Sequence, residues 1–327
     1  MITNPISRRQ LLLGASTAIV SSGLVDFSAP STSAAVPKSL PANPAVWRYC
    51  LNTSTINGSS LSVEQQISLT AEAGFDGIEL WLRDIQRFVE QGGKLSELRR
   101  MLDDSGLTLE SAIAFGAWIA EDEARRREGL EQCRRDMETL RELGGTRIAA
   151  PPAGATQGEK LSLDAIAERY ATLLEVGRSV GVVPMLELWG FSVNLATLPE
   201  ILYVAAAAND ADACLLLDVY HLYKGGSDFQ NIGLVPAAKM PCLHINDYPA
   251  TPSRSEIRDQ DRVYPGDGVA PLTHILQSLA QGGFRGVLSL ELFNRSYWQQ
   301  APEQVARTGL EKMKRSVAAA FAEDEAN

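Results

Sequence analysis

The chain has 327 residues, and its 30 Lys and Arg stand against 40 Asp and Glu, for a formal net charge of −10. An acidic surface of this kind repels phosphate backbones and lacks the basic footprint of a nucleic-acid binder. Four cysteines (Cys50, Cys133, Cys214, Cys242) lie far apart without a C-x-x-C pair and read as buried thiols, although an exported chain leaves one disulfide open.

The first segment, "ISRRQLLLGASTAIVSSGLV", places the twin arginine Arg8–Arg9 before a short apolar run rich in small residues. A small-x-small site follows at Ser33–Ala35. This is the layout of a twin-arginine signal peptide over residues 1–35, and it predicts a periplasmic or extracytoplasmic protein. A membrane anchor is the weaker reading, because the apolar run is short and holds Ser, Thr and Gly. A short linker over 36–45 is expected next, then one domain over 46–322 and a tail over 323–327.

Eight apolar runs of strand length then alternate with helical stretches. They are "VWRYCL" (46–51), "GIELWL" (77–82), "TLESAIAF" (108–115), "TRIAA" (146–150), "VPMLEL" (183–188), "CLLLD" (214–218), "CLHIN" (242–246) and "VLSLEL" (287–292). Amphipathic segments such as "LDAIAERYATLLEVGRSVG" lie between them, several closing on Gly. Near-continuously apolar strands alternating eight times with helices predict a parallel sheet closed into a (β/α)8 barrel. A doubly wound open sheet is the alternative, but no strand leads into a G-x-G-x-x-G loop. The one long irregular stretch, Asp247–Gly268, follows the seventh strand, and in a barrel such loops carry function.

Four successive strand ends each present a metal-competent group: Glu187 on the fifth, Asp218 on the sixth, His244 on the seventh and Glu291 on the eighth. Singly, each has an ordinary explanation, since a strand-end acid often caps the next helix and a strand-end His often sits in a core. Jointly they form an O3N set suited to one divalent cation, with Mn2+ favoured and Mg2+, Co2+ or Zn2+ as alternatives. Asp247 opens the long loop and is read as fixing it, or as backing the ligands, rather than as a ligand. Trp81, Trp118, Trp189, Tyr220, Tyr223 and Phe293 lie beside these motifs, where they could stack on a sugar ring or pack the barrel rim. Lys224 is read as a solvated loop lysine before an acid or Schiff-base donor.

The segments "GFDGIELW", "LELWG", "LLLDVYHLYKGG", "HINDYP", "RVYPGDG" and "GGFRGVLSLELF", in this order and spacing, resemble the xylose isomerase-like barrel superfamily and its sugar isomerase/epimerase branch. The resemblance covers nearly all of the chain beyond the signal. It implies that Glu187, Asp218, His244 and Glu291 bind one metal and that Glu187 and Glu291 double as the acid/base pair. It implies that His221 contacts substrate or orients the site, and that a loop arginine grips substrate oxygen, best matched by Arg262 with Arg254 and Arg258 as competitors. Glu79 matches a second-strand acid of varying role, set here with Trp81 on the substrate side. Nucleases of this superfamily hold three zinc ions and need many histidines, whereas this chain has three, His221, His244 and His274.

Such a site abstracts a proton beside a carbonyl, and a metal neutralises the resulting enediolate. Returning the proton to the opposite face epimerises the substrate, and returning it to the neighbouring carbon isomerises it. With a leaving group β to the carbonyl, the same residues make a lyase, a dehydratase or keto-glycoside eliminase. A non-catalytic sugar-binding barrel is the remaining reading. The expected partner is a small carbohydrate, free, oxidised or glycosidic, with no nucleic acid and no stable membrane insertion; a homo-oligomer is compatible.

Overall fold

A computed structural model describes residues 47–58 and 60–322. The predicted signal peptide, linker and tail lie outside the described residues. Among the described residues, no helix is long and apolar enough to cross a membrane.

The eight strands are β1 (Arg48–Asn52), β2 (Gly77–Trp81), β3 (Thr108–Ile113), β4 (Arg147–Ala150), β5 (Val183–Glu187), β6 (Leu215–Asp218), β7 (Cys242–Ile245) and β8 (Val287–Leu290). All pair in parallel in sequence order, and β8 closes on β1, so the predicted (β/α)8 barrel is the observed fold. Around it lie α1 (Val63–Ala73), α2 (Leu82–Glu90), α3 (Leu95–Ser105), α4 (Glu123–Glu142), α5 (Leu163–Val180), α6 (Leu198–Ala207), α7 (Val219–Gly225), α8 (Leu272–Gln281) and α9 (Pro302–Phe321). Their ends carry the expected chemistry. The Ser62 and Ser162 hydroxyls accept from the Gln65 and Ala165 N–H groups, and Gly74 and Gly181 close α1 and α5 in left-handed conformation.

The core has two parts. The larger fills the space between strands and helices. The smaller lies inside the barrel and includes Cys50, Met185, Cys214, Leu216, Cys242 and Val287. All four cysteines are buried and free, as the spacing predicted.

Register explains why the strand ends converge. Asp218 pairs with His244, and His244 pairs with Ser289. Side chains alternate along a strand, so Glu291, two residues beyond Ser289, points to the same interior face one step nearer the mouth. On the other side of the closure, Asn52 pairs with Glu79.

Candidate active site

The strand-end groups meet within the barrel mouth. Ligand atoms of Asp218, His244 and Glu291 lie within 4.8 Å of one another, and all three residues are buried. His244 Nδ1 is 3.2 Å from Glu291 Oε2 and 3.8 Å from Asp218 Oδ2 and makes no hydrogen bond. Glu187 stands outside this tight triad; it lines a cavity together with Glu291, whose lining includes neither Asp218 nor His244, and its buried Oε2 has no hydrogen-bond partner. An unpartnered buried carboxylate oxygen and an unpartnered imidazole nitrogen beside two more carboxylates suit a divalent cation, so the residues fit the expected metal.

Asp218 does two jobs. Its Oδ1 accepts the His221 N–H at 2.7 Å, capping α7, while Oδ2 accepts from Asn246 Nδ2 at 2.8 Å. Asn246 also donates to the Glu291 carbonyl and accepts from the Tyr220 N–H, tying β6, β7 and the β8 end together.

Arg262 is fully buried among these acids. Its Nη1 donates to Asp218 Oδ2 at 3.0 Å and Glu291 Oε2 at 2.8 Å, and its Nη2 to His221 Nε2 at 3.0 Å and Asp259 Oδ1 at 2.5 Å. The guanidinium also sits 4.4 Å over the Tyr220 ring. Of the three loop arginines, Arg254 and Arg258 are exposed and only Arg262 reaches the cavity. Sequence placed Arg262 as a substrate contact; the structure adds its pairing with two predicted metal ligands.

Burial and neighbours set the charges. Burial pushes the Glu187 carboxyl up to about 8, with the His244 charge opposing. Burial also disfavours a charged Glu291, but His244 and Arg262 outweigh it and hold the carboxyl well below its ordinary value. For His244, burial is outweighed by Glu291 and Glu79, which raise its proton affinity well above normal. His221 goes the other way, to about 4, through burial and then the Arg262 charge. A neutral His221 matches its Nε2 accepting from Arg262.

Glu79 differs from expectation. It lies behind His244, not in the cavity wall. Its Oε2 faces His244 Nε2 at 2.9 Å and accepts from Ser289 Oγ at 2.6 Å and Asn52 Nδ2 at 3.2 Å. Glu79 is spent on orienting the imidazole, which places it away from the substrate side. Trp81 does line the cavity, with its indole N–H donating to Asn52 Oδ1 at 3.2 Å.

Trp189 and Phe293 also line the cavity. Trp118 and Tyr220 are buried, bonded to the Pro151 and Ile257 carbonyls, and Tyr223 stacks on Tyr248 at 3.8 Å, so these three pack the frame. Sequence missed Phe115 and Phe191, which line the mouth, as well as Asn52, Asn246, Ser289 and Asp259. Asn52 and Asn246 had a signal, since each is a polar residue at the end of an apolar strand run. Lys224 donates to the Arg254, Ser255 and Ile257 carbonyls and clamps the long loop.

Asp247 fixes that loop, as its position predicted. Its Oδ1 accepts from the Tyr248 and Ala270 N–H groups, and Oδ2 from those of Gly266 and Gly268. A Cβ at position 268 would lie 2.3 Å from Asp247 Oδ1, so only glycine fits there. A separate groove of about 580 Å3 lies on the outer face beside α6. Mostly alanine and leucine line it and none of the strand-end groups, so the smaller cavity of about 190 Å3 is the chemically equipped one.

A closed parallel barrel with three acids and an imidazole at its carboxyl end defines a class of proteins before any comparison. The profile of the xylose isomerase-like TIM barrel family matches residues 67–316, and the chain belongs to that family. Inosose isomerase of Bacillus velezensis is 27% identical over 271 residues, spanning 81% of this chain and 95% of that protein. The 3-dehydroshikimate dehydratase of Pseudomonas aeruginosa is 27% identical over 243 residues, spanning 72% of this chain and 37% of that protein. A crystal structure of the IolI protein with a bound zinc atom superposes with a TM-score of 0.78 at 23% identity, covering 84% of this chain and 99% of that one. The relatives include isomerases, an epimerase and a dehydratase.

Proposed function

We propose that the protein is a divalent-metal-dependent isomerase or epimerase of a small carbohydrate, with Glu187 and Glu291 as the acid/base pair. The convergence of Asp218, His244 and Glu291 within 4.8 Å, with Glu187, whose Oε2 has no partner, lining a cavity together with Glu291, carries this reading. The similarity to inosose isomerase over nearly its whole length supports it.

Glu187, Asp218, His244 and Glu291 would hold one cation. Mn2+ remains the preferred ion for an oxygen-rich set, and the zinc of the similar IolI structure favours Zn2+ as its competitor. When bound, the cation supplies positive charge beside the substrate oxygens, where negative charge develops on proton loss. The chain's own residues do the rest. One glutamate takes the proton from the carbon beside the carbonyl, and the other returns it to the opposite face or the neighbouring carbon of the enediolate. His221 and Arg262 orient substrate oxygens from the β6 and β7 side, and Trp81 closes the wall opposite. The Asp247-anchored loop keeps Arg262 in place.

The similarity to the dehydratase favours a lyase as the second reading, with the same residues and loss of a β-leaving group. Incubation with keto-sugars and glycosides in D2O separates the two. Solvent deuterium in a product of unchanged composition supports isomerisation or epimerisation; loss of water or an aglycone supports the lyase. A protein that purifies without stoichiometric divalent metal, and whose Glu187→Gln variant behaves as wild type, is a binding barrel instead. The twin arginine at Arg8–Arg9 supports export, to be checked by sequencing the N-terminus of protein recovered outside the cytoplasm.

A further inference from the structure

The cavity of about 190 Å3 has two unlike halves. One is polar, with Glu187, His221, Asp259, Arg262 and Glu291. The other is a run of rings. Trp81 lies 5.6 Å from Phe115 between centroids, Phe115 is 6.1 Å from Trp189, and Trp189 is 5.2 Å from Phe191. Phe293 continues the run, 6.2 Å from Trp81. Phe115 and Phe191, in the loops after β3 and β5, are 50% and 47% exposed although most large apolar side chains of the described residues are buried. Two half-exposed phenyl rings beside a chemically equipped cavity mark a surface that gains by being covered.

The aromatic half offers little to a hydroxyl. The phenyl rings and Ile113 have no donors and the Trp81 indole N–H is committed to Asn52, which leaves the Trp189 indole N–H as the donor on this wall. A sugar hydroxyl pressed against the phenyl rings loses its water without a replacement partner. A phosphate fares no better. Among the described residues Arg262 is the only Lys or Arg lining the cavity, and Asp218, Glu291 and Asp259 already engage it. A second anion there meets those carboxylates around a guanidinium that they already share.

We infer that the site takes an amphipathic ligand: a ring polyol or keto-sugar whose hydroxylated edge meets the polar half, and which carries a neutral aryl group covering Phe115 and Phe191. An aryl glycoside has this chemistry. The inference rests on the carbohydrate reading above and adds the apolar substituent.

The test titrates the full-length, metal-loaded protein with phenyl β-D-glucopyranoside, methyl β-D-glucopyranoside and glucose 6-phosphate, following tryptophan fluorescence. The phenyl glycoside binds roughly tenfold more tightly than the methyl one, the phosphate binds most weakly, and Phe115→Ala/Phe191→Ala brings the phenyl-to-methyl ratio toward one. Equal affinities, a phosphate that binds best, undetectable phenyl glycoside binding, or a ratio untouched in the double variant overturns the inference. Deuterium uptake without aryl preference defeats this inference and leaves the proposed reaction standing. Aryl preference without deuterium uptake or elimination does the reverse.

Discussion

His244 Nε2 lies 2.9 Å from Glu79 Oε2, and that oxygen is in turn held by Ser289 and Asn52. The contact spans 165 residues of sequence and fixes the imidazole so that Nδ1 turns toward Asp218 and Glu291. A carboxylate behind a ligating imidazole sets its orientation and raises its basicity. Glu79→Gln keeps the shape and removes the charge. Its affinity for Mn2+, measured by calorimetry, is expected to fall by about 10- to 100-fold. An affinity equal to that of wild type removes Glu79 from this role.

Arg262 neutralises Asp218 and Glu291, which among the described residues have no other positive partner besides His244. Removing one member of a buried ion pair typically costs about 3–5 kcal/mol, because the remaining charge is left uncompensated. Arg262→Met is therefore expected to lower urea stability by roughly that much without metal. Added Mn2+ should recover a larger share of stability in this variant than in wild type, since it supplies the missing charge to Asp218 and Glu291. Equal metal responses in the two proteins contradict this.

His244→Ala removes the single nitrogen donor of the set. The variant should keep the far-ultraviolet circular dichroism of wild type, since the apolar layer of Cys50, Met185, Cys214, Leu216, Cys242 and Val287 inside the barrel stays intact. Stoichiometric metal, read by mass spectrometry of the purified protein, should be absent together with turnover.

Asp247 gathers four backbone N–H groups at the root of the long loop. Asp247→Ala leaves those donors without their charged acceptor, at a local cost of about 1.5–3 kcal/mol per bond to a charged group. Hydrogen exchange at Gly266, Gly268 and Ala270 should accelerate while exchange in β1–β6 stays slow. Unchanged protection at the loop amides would mean that Lys224 and the other contacts hold it unaided.

Asp136, in α4, gives a pH dependence away from the site. Burial pushes its carboxyl up to about 6 from 3.8, although Gln132 Nε2 donates to it at 2.8 Å. The folded state thus holds the proton more tightly than the unfolded chain does. The resulting stability is fully present below about pH 4 and is lost as pH rises through about 6. Asp136→Asn should be more stable than wild type at pH 8, by roughly 2–3 kcal/mol at most, with no such gain at pH 4. Urea unfolding at the two pH values checks both halves.

The barrel and its ligands were readable along the chain because parallel strands buried on both faces become apolar runs, and polar residues then mark their ends. The eight runs end within two residues of the observed strands. Glu187, Asp218, His244 and Glu291 stood out as charged or polar groups against aliphatic neighbours. What the linear order conceals is who faces whom. Closure of β8 on β1 brings Asn52 Nδ2 to 3.1 Å from Glu291 Oε1 across 239 residues, and only that closure turns Glu79 toward His244. The long loop likewise folds back on an Asp247–Val263 bridge, which delivers Arg262, and not Arg254 or Arg258, to the acids. Alternation and hydropathy, which are local, determined the strands and their polar ends. Charge pairing, the split of the cavity and the exposure of Phe115 and Phe191 were decided by register and loop return, which bring distant residues within a few ångströms.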